Sequence, residues 1–445
     1  MWKSLRLSLL AGAALAAAAA IRPAFAGDVT LLFWPGPESE AMQKAIDAYN
    51  AGQGKTDHVT VKQLLFSRQG YFDKELLDLA AGSKDFDLSL VTTYTIGRYA
   101  PYLAPINPYV TPEMSAQFAP VSLNSLSYNG KLYGVPTDIS LHFLYYRKDL
   151  IAKLLADPAW QKTYTAIAQA KLGAALTPKD PADWTWQDFE AAALFFSRAD
   201  NKASPTRYGT ALQMKDLIFN IMLWQATLVS NGGNWLDAAG KPEIDSPATK
   251  TGLEIYKTLV DDKATSPASI SYEFPETNEA FQSGQTAMIL QWNAAYAELN
   301  DPTKSPVVAG KIGLAPLPAG SLGHKTHVHS LGIGLNKASL HQADAGKFLA
   351  WLATPAAMTV YGEAGGTPPM PSVLQALSTK RPEFKLIGNY ASQYGFVVKG
   401  GTAPYALPVY TALADAFSAY WAGQVPVEKA MAQAQAGMTA AMAQK

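Results

Sequence analysis

Val29-Thr30-Leu31-Leu32-Phe33-Trp34-Pro35-Gly36-Pro37 decides how the rest of the chain is read. Six mostly apolar residues run into a Pro-Gly-Pro stop, the pattern of a short buried strand closed by a turn. From Glu38 to Tyr49 the period changes, with Met42, Ala45, Ile46 and Tyr49 at helical spacing. Val59–Leu64 then predicts a second strand, Tyr71–Ala80 a second helix, and Phe86–Val91 a third strand followed by helix-like sequence from Ile96. Strand and helix in alternation predict an α/β fold with a parallel sheet covered by helices. Ligands of such sheets sit at the carboxyl ends of the strands, which points to loops 34–38, 66–69 and 92–95.

Further along, Tyr128-Asn-Gly-Lys131 predicts a turn leading into a strand. Thr185-Trp-Gln-Asp188 predicts a capped helix start, with Asp188 in the position usually held by Glu or Gln. Tyr208–Gln213, Thr286–Gln291, Lys311–Ala315 and Leu331–Leu335 read as strands, and Leu217–Val229 as a buried helix. A helix opens at Asp245-Ser-Pro247, and the C-terminal stretch is helical and rich in Ala, Gln and Met.

The first 26 residues read differently. Lys3 and Arg6 precede an apolar run from Leu7 to Ala20, and Ala24-Phe25-Ala26 places small residues before Gly27. This is the pattern of a cleaved export signal. The run is shorter than the roughly 20 residues needed to span a bilayer. Export to the periplasm is therefore expected. The chain has no cysteine, so no lipid anchor, disulfide or thiol nucleophile is expected. Without Lys3, Arg6 and Arg22 the balance is 33 basic against 36 acidic residues, too near neutral to favour nucleic acid or an anionic membrane. The remaining length, about 419 residues, suits two lobes better than one core.

Six fragments in order carry a resemblance: Gly130-Lys-Leu-Tyr-Gly-Val-Pro136, Tyr145-Tyr-Arg-Lys-Asp-Leu150, Thr185-Trp-Gln-Asp-Phe189, Asn231-Gly-Gly-Asn-Trp-Leu236, Phe281-Gln-Ser-Gly-Gln-Thr-Ala287 and Lys311-Ile-Gly-Leu-Ala-Pro-Leu-Pro318. With them the chain resembles the family 1 extracellular solute-binding proteins, the capture subunits of carbohydrate ABC importers. The resemblance implies a two-lobed periplasmic binding protein fold, its lobes exchanging segments around a central cleft and a hinge of crossover strands. Mapped here, it gives one lobe from 27–135 and 288–330 and another from 137–287 and 331–445. It also implies a monomer that binds a neutral sugar or polyol, closes by hinge motion and delivers it to permease subunits in the inner membrane. No cofactor or metal is implied.

Sugar recognition needs flat aromatic faces against C–H-rich surfaces, with carboxylates and amides on the hydroxyls. Trp34 and Glu38 stand at the first strand end, where the family often has a sugar-binding carboxylate; a core or capping role is the alternative. The resemblance likewise points to Trp292 as a stacking ring, with Asn293 beside it, and to Asp138, seconded by Ser140. Gln69, Thr92 and Tyr94 are candidates by loop position, His329 and Ser330 at the third crossover, and Gly366 in a glycine-rich loop. Trp235 either walls the cleft or packs behind it. Relatives often read Gly-Gly-Trp where this chain has His329-Ser330-Leu331, and often carry an acidic residue near Thr92 and an Arg near Ala403-Pro404. These departures prevent transfer of any particular sugar.

The residues leave two other functions open, a secreted carbohydrate-active enzyme and a binder of another solute such as a phosphorylated polyol or a metal chelate; no clustered Arg/Lys pair marks a phosphate site, which favours a neutral ligand. A secreted carbohydrate-active enzyme needs two positioned carboxylates; Glu38 and Asp138 are nominees, but no pattern pairs them, and the Gly-x-Ser-x-Gly, His-Glu-x-x-His and Walker motifs are absent. His324, His327 and His329 invite a metal, but no carboxylate is near them in sequence to complete a ligand set.

Overall fold

The computed structural model describes residues 27–443; the expected export signal lies outside the described residues. Two sheets carry the architecture. In the first, β1 (Gly27–Phe33), β2 (Val59–Leu65) and β3 (Leu88–Thr92) run parallel in the order β2-β1-β3. Beside them are β4 (Leu103–Ala104), β5 (Gly134–Ser140) and β10 (His329–Asn336), the last antiparallel to β3, β4 and β5. The second sheet has the order β9-β6-β8-β7, from β6 (His142–Arg147), β7 (Tyr208–Ala211), β8 (Thr286–Trp292) and β9 (Ile312–Ala315). Every residue of β3, β5, β8 and β10 is buried. Sheets covered on both faces demand this, and it explains why β3 and β8 read as largely apolar runs without alternation.

Local chemistry sets the ends of the elements. Helix α1 (Pro37–Ala51) begins with proline, whose fixed φ suits the first turn. Before it, Gly36 has φ 153°, a conformation open to glycine and almost closed to other residues. The Ser39 hydroxyl accepts from the Gly36 N–H at 3.0 Å and donates to its carbonyl at 2.8 Å. At the helix Trp186–Phe195, the Thr185 hydroxyl accepts from the Asp188 N–H and Asp188 accepts from the Thr185 N–H. That reciprocal cap is the one expected from sequence. The turn at Asn129-Gly130 has positive φ at both residues and joins two short paired strands, as a two-residue hairpin requires.

One residue, Leu141, separates β5 of the first sheet from β6 of the second. The chain returns between β9 and β10. It crosses a third time after the helix Pro355–Glu363, which packs on α1, because Ala406–Trp421 packs on the helix Ile218–Ser230 of the second lobe. Sequence reasoning expected 288–330 in the first lobe and 331 onward in the second. The strand pairing corrects this. Met288 opposes Tyr146 and Leu314 opposes Tyr145 in the second sheet, whereas Leu331 opposes Thr92 in the first. A fully buried apolar run fits the middle of either sheet, so its own sequence does not say which one it joins. Among the described residues, no helix is long and apolar enough to cross a membrane.

Candidate functional site

The strand ends of the two lobes face each other across a narrow cavity. Trp34, Glu38, Tyr94, Ser140, Trp292 and His329 line it, together with Arg68, Phe219, Phe274, Pro37 and Leu331. The cavity is about 20 Å³, room for about one water. A solute the size of a sugar therefore enters only when the lobes separate, and a hinged two-lobe fold permits that motion.

The lining side chains project from strand ends, loops and a helix start, and several pack across to the other lobe. Trp34 leaves the end of β1 and packs edge-on against Tyr71 and Phe72 of its lobe and Phe219 of the other, with centroids 5.4–5.7 Å away. Glu38, in the first turn of α1, is buried; burial raises its pKa above the usual carboxylate value, and Arg68 opposes that shift. Tyr94 follows β3 and touches His329 ring-to-ring at 5.5 Å. Trp292 ends β8 with its ring 3.9 Å from His142 and 5.0 Å from His329, centroid to centroid. The Tyr145 hydroxyl, donating to the Trp292 carbonyl at 2.8 Å, fixes the strand end that carries it.

Around this cavity, Trp34 Nε1, Glu38 Oε2, Tyr94 Oη, Trp292 Nε1 and His329 Nδ1 are buried without a protein hydrogen-bond partner. Buried polar atoms are normally paired, and each unpaired one costs about 1–3 kcal/mol. Five of them around one cavity form a set of donors and acceptors suited to a ligand that both gives and takes hydrogen bonds.

Residues 35–359 match the family model for bacterial extracellular solute-binding proteins. The chain belongs to that family. One relative is a probable amino-acid ABC transporter periplasmic-binding protein of Sinorhizobium fredii, 26% identical over 371 residues, which cover 81% of this chain and 76% of the relative. Among solved structures, this solute-binding protein resembles maltose-bound MalE3 of T. maritima, with a TM-score of 0.77, 22% identity, and coverage of 93% of this chain and 99% of that one. It also resembles an ABC transporter solute-binding protein of Agrobacterium vitis with bound D-mannitol, with a TM-score of 0.76, 23% identity, and coverage of 94% and 98%. Both are two-lobed folds of the kind described above.

Several residues of this solute-binding protein expected at the cleft are engaged elsewhere. Gln69 is exposed and does not line the cavity. Thr92 turns back on its loop, its N–H donating to the Thr95 hydroxyl at 3.0 Å. Ser330 is bound through its backbone to Thr93, its N–H donating to the Thr93 hydroxyl at 2.9 Å. Trp235 is a core residue, fully buried against Tyr410. Gly366 is packed on the Tyr361 ring, where an added Cβ would collide. Asp138 stands behind the cavity wall and accepts from the Thr367 N–H at 2.7 Å and the Tyr361 hydroxyl at 3.1 Å. Burial, then the neighbouring Glu38, raises its pKa well above the usual carboxylate value.

Asn293 belongs to the hinge. Its Oδ1 accepts from the Leu141 N–H at 2.8 Å, and its Nδ2 donates to the Ile139 carbonyl at 3.1 Å and the Thr367 hydroxyl at 2.8 Å. One side chain at the end of β8 thus ties together two of the interlobe crossings, at residues 139–141 and at Thr367, and both of its polar atoms are engaged within the protein.

The histidines divide in the same way. His324 stands apart, with Nδ1 2.7 Å from the Leu317 carbonyl oxygen. His327 is buried, its pKa pushed down to about 3 by burial, with Nε2 3.3 Å from the Tyr410 hydroxyl. His142 and His329 are likewise held neutral by burial. Among the described residues, no group of His, Asp or Glu is arranged to hold a metal ion. Arg68, Glu273, Phe219 and Phe274 were missed in sequence. Arg68 comes from a loop of the first lobe, and Phe219, Glu273 and Phe274 come from two segments of the second that it meets across the cleft.

Proposed function

We propose that this chain is the periplasmic capture subunit of an ABC importer, binding a neutral sugar or related polyol between its lobes and presenting it to membrane permease subunits. The cluster of unpaired donors and acceptors beside Trp34 and Trp292 supports this reading above all else. Hydroxyls satisfy both kinds of group, and the indole faces suit C–H-rich surfaces. Charge supports a neutral solute: burial favours the uncharged forms of Glu38 and Asp138, and Arg68 is already paired with Glu273. The bound maltose and D-mannitol of the two structural neighbours point the same way.

The name of the Sinorhizobium relative favours a second reading, an amino acid. An amino acid needs a fixed positive group for its carboxylate and a negative one for its ammonium. The pairing of Arg68 and the burial that disfavours charge on Glu38 and Asp138 weigh against it. In this proposal the chain performs no catalysis, and Glu38 and Asp138 serve recognition and hinge structure.

A thermal-shift screen of the mature protein over sugars, polyols and amino acids tests the reading, because a ligand of the native state alone raises the melting temperature. The active ligand should be a neutral polyhydroxylated solute, recovered unchanged. Trp292→Ala should cancel the shift while the ligand-free protein stays folded; undiminished affinity would remove Trp292 from the site.

A further inference from the structure

Arg68 reaches from the first lobe into the gap and holds the second. Its Nε donates to Glu273 Oε1 at 3.1 Å, with Arg68 19% and Glu273 9% exposed at the side chain. Its guanidinium carbon lies 5.2 Å from the Trp34 ring centroid and 4.6 Å from that of Phe219. A ring of each lobe and a carboxylate of the second lobe therefore hold one planar cation. This arrangement uses the rigid, stackable guanidinium in a way that lysine cannot reproduce.

The position of Arg68 matters as much as its bonds. It lines the inner cavity, and it also lines an outer groove of about 420 Å³ between α1 and the helix Phe274–Gln282. The two spaces have different chemistry. The inner one has aromatic rings and the unpaired polar atoms described above. The outer one carries Glu40, Glu279, Glu298, Asp301 and Lys304 and has no tryptophan. Any ligand longer than one ring that begins on Trp34 and Trp292 must pass Arg68 to reach the outer groove.

We propose that Arg68, fixed by Glu273, is the wall that sets ligand length, restricting this protein to a single sugar ring or an open-chain polyol. The inference rests on the carbohydrate reading given above and makes it narrower. A one-ring ligand needs the lining rings to move apart from the one-water space of the empty site, but it need not pass between Arg68 and Glu273, so that pair re-forms on closure and adds to closed-state affinity. A longer ligand must break that pair, and its two partly buried charges then lose each other. Specificity arises from the penalty on the longer ligand.

The test is titration calorimetry of the mature wild type, Arg68→Ala and Arg68→Lys with a monosaccharide and hexitol panel and the corresponding di- and trisaccharides. Wild type should bind monomeric ligands at least tenfold more tightly than any trisaccharide. Arg68→Ala should weaken monomer binding about tenfold yet narrow or reverse the preference against longer ligands, and Arg68→Lys, lacking the planar stack, should fall between. Circular dichroism confirms that each variant is folded. Equal wild-type affinity for monomer and trisaccharide overturns the wall but leaves carbohydrate capture standing. An Arg68→Ala variant that loses affinity equally at every ligand length also overturns it. No binding of any carbohydrate or polyol to any of the three proteins fells both readings.

Discussion

Asn293→Ala should loosen the hinge measurably, and the size of the loss can be worked from the bonds. The substitution removes the acceptor of the Leu141 N–H and the donor to the Ile139 carbonyl and the Thr367 hydroxyl, all in buried surroundings. An orphaned buried group costs about 1–3 kcal/mol. The Leu141 N–H has one bond to lose, whereas the hydroxyl can turn, so about 2–4 kcal/mol in total is expected. For a chain of about 420 residues, the unfolding entropy corresponds to roughly 0.9 kcal/mol per degree. The melting temperature should therefore fall by about 2–5 °C, read by calorimetry on the ligand-free mature protein. Urea titration should show a lower midpoint, with an unchanged slope if unfolding stays cooperative. A melting temperature within 0.5 °C of wild type would refute the claim that this side chain welds the crossings at 139–141 and Thr367 to the end of β8.

Substitutions at two further residues test the buried carboxyls. Glu75 is fully buried and its pKa is raised well above the usual value, chiefly by burial. Its folded value lies above its unfolded one, so its contribution is intact below the unfolded pKa and is lost as pH rises toward the folded value, at up to about 1.4 kcal/mol per unit. Glu75→Gln should therefore stabilise the protein more at pH 8 than at pH 5, with the difference read from urea midpoints; equal effects at both pH values would contradict the burial argument. Asp138→Asn should cost less than about 1 kcal/mol because the protonated acid and the amide offer the same acceptor to Thr367 and Tyr361, whereas Asp138→Ala should cost about 2–4 kcal/mol by orphaning both donors. Equal losses would show that the acceptor is unimportant.

Much of the fold was legible because buried strands and amphipathic helices repeat at different periods. Residues 29–34, 59–64 and 86–91 announced the first sheet, and Thr185 with Asp188 announced a helix start down to its reciprocal bonds. Sheet membership was not legible. β8 and β10 are apolar runs of similar character, and only the partners they meet separate them. The site was legible where a residue stands directly at a strand end, as Trp34 and Trp292 do. It failed where local and long-range use conflict. Asn293 sits beside Trp292 but is consumed by the hinge, and Gln69 is exposed next to the inward-turned Arg68. No periodicity marks Arg68, because its value comes from Glu273, 205 residues away.

The central claim is capture of a neutral polyhydroxylated solute between the lobes. It is tested most directly by calorimetric titration of the mature protein with the best ligand of the thermal screen, followed by recovery of that ligand from the denatured complex. Saturable one-to-one binding of a sugar or polyol, recovered chemically unchanged and lost in Trp292→Ala, is the predicted result. Saturation by an amino acid alone, or recovery of a cleaved product, would contradict it.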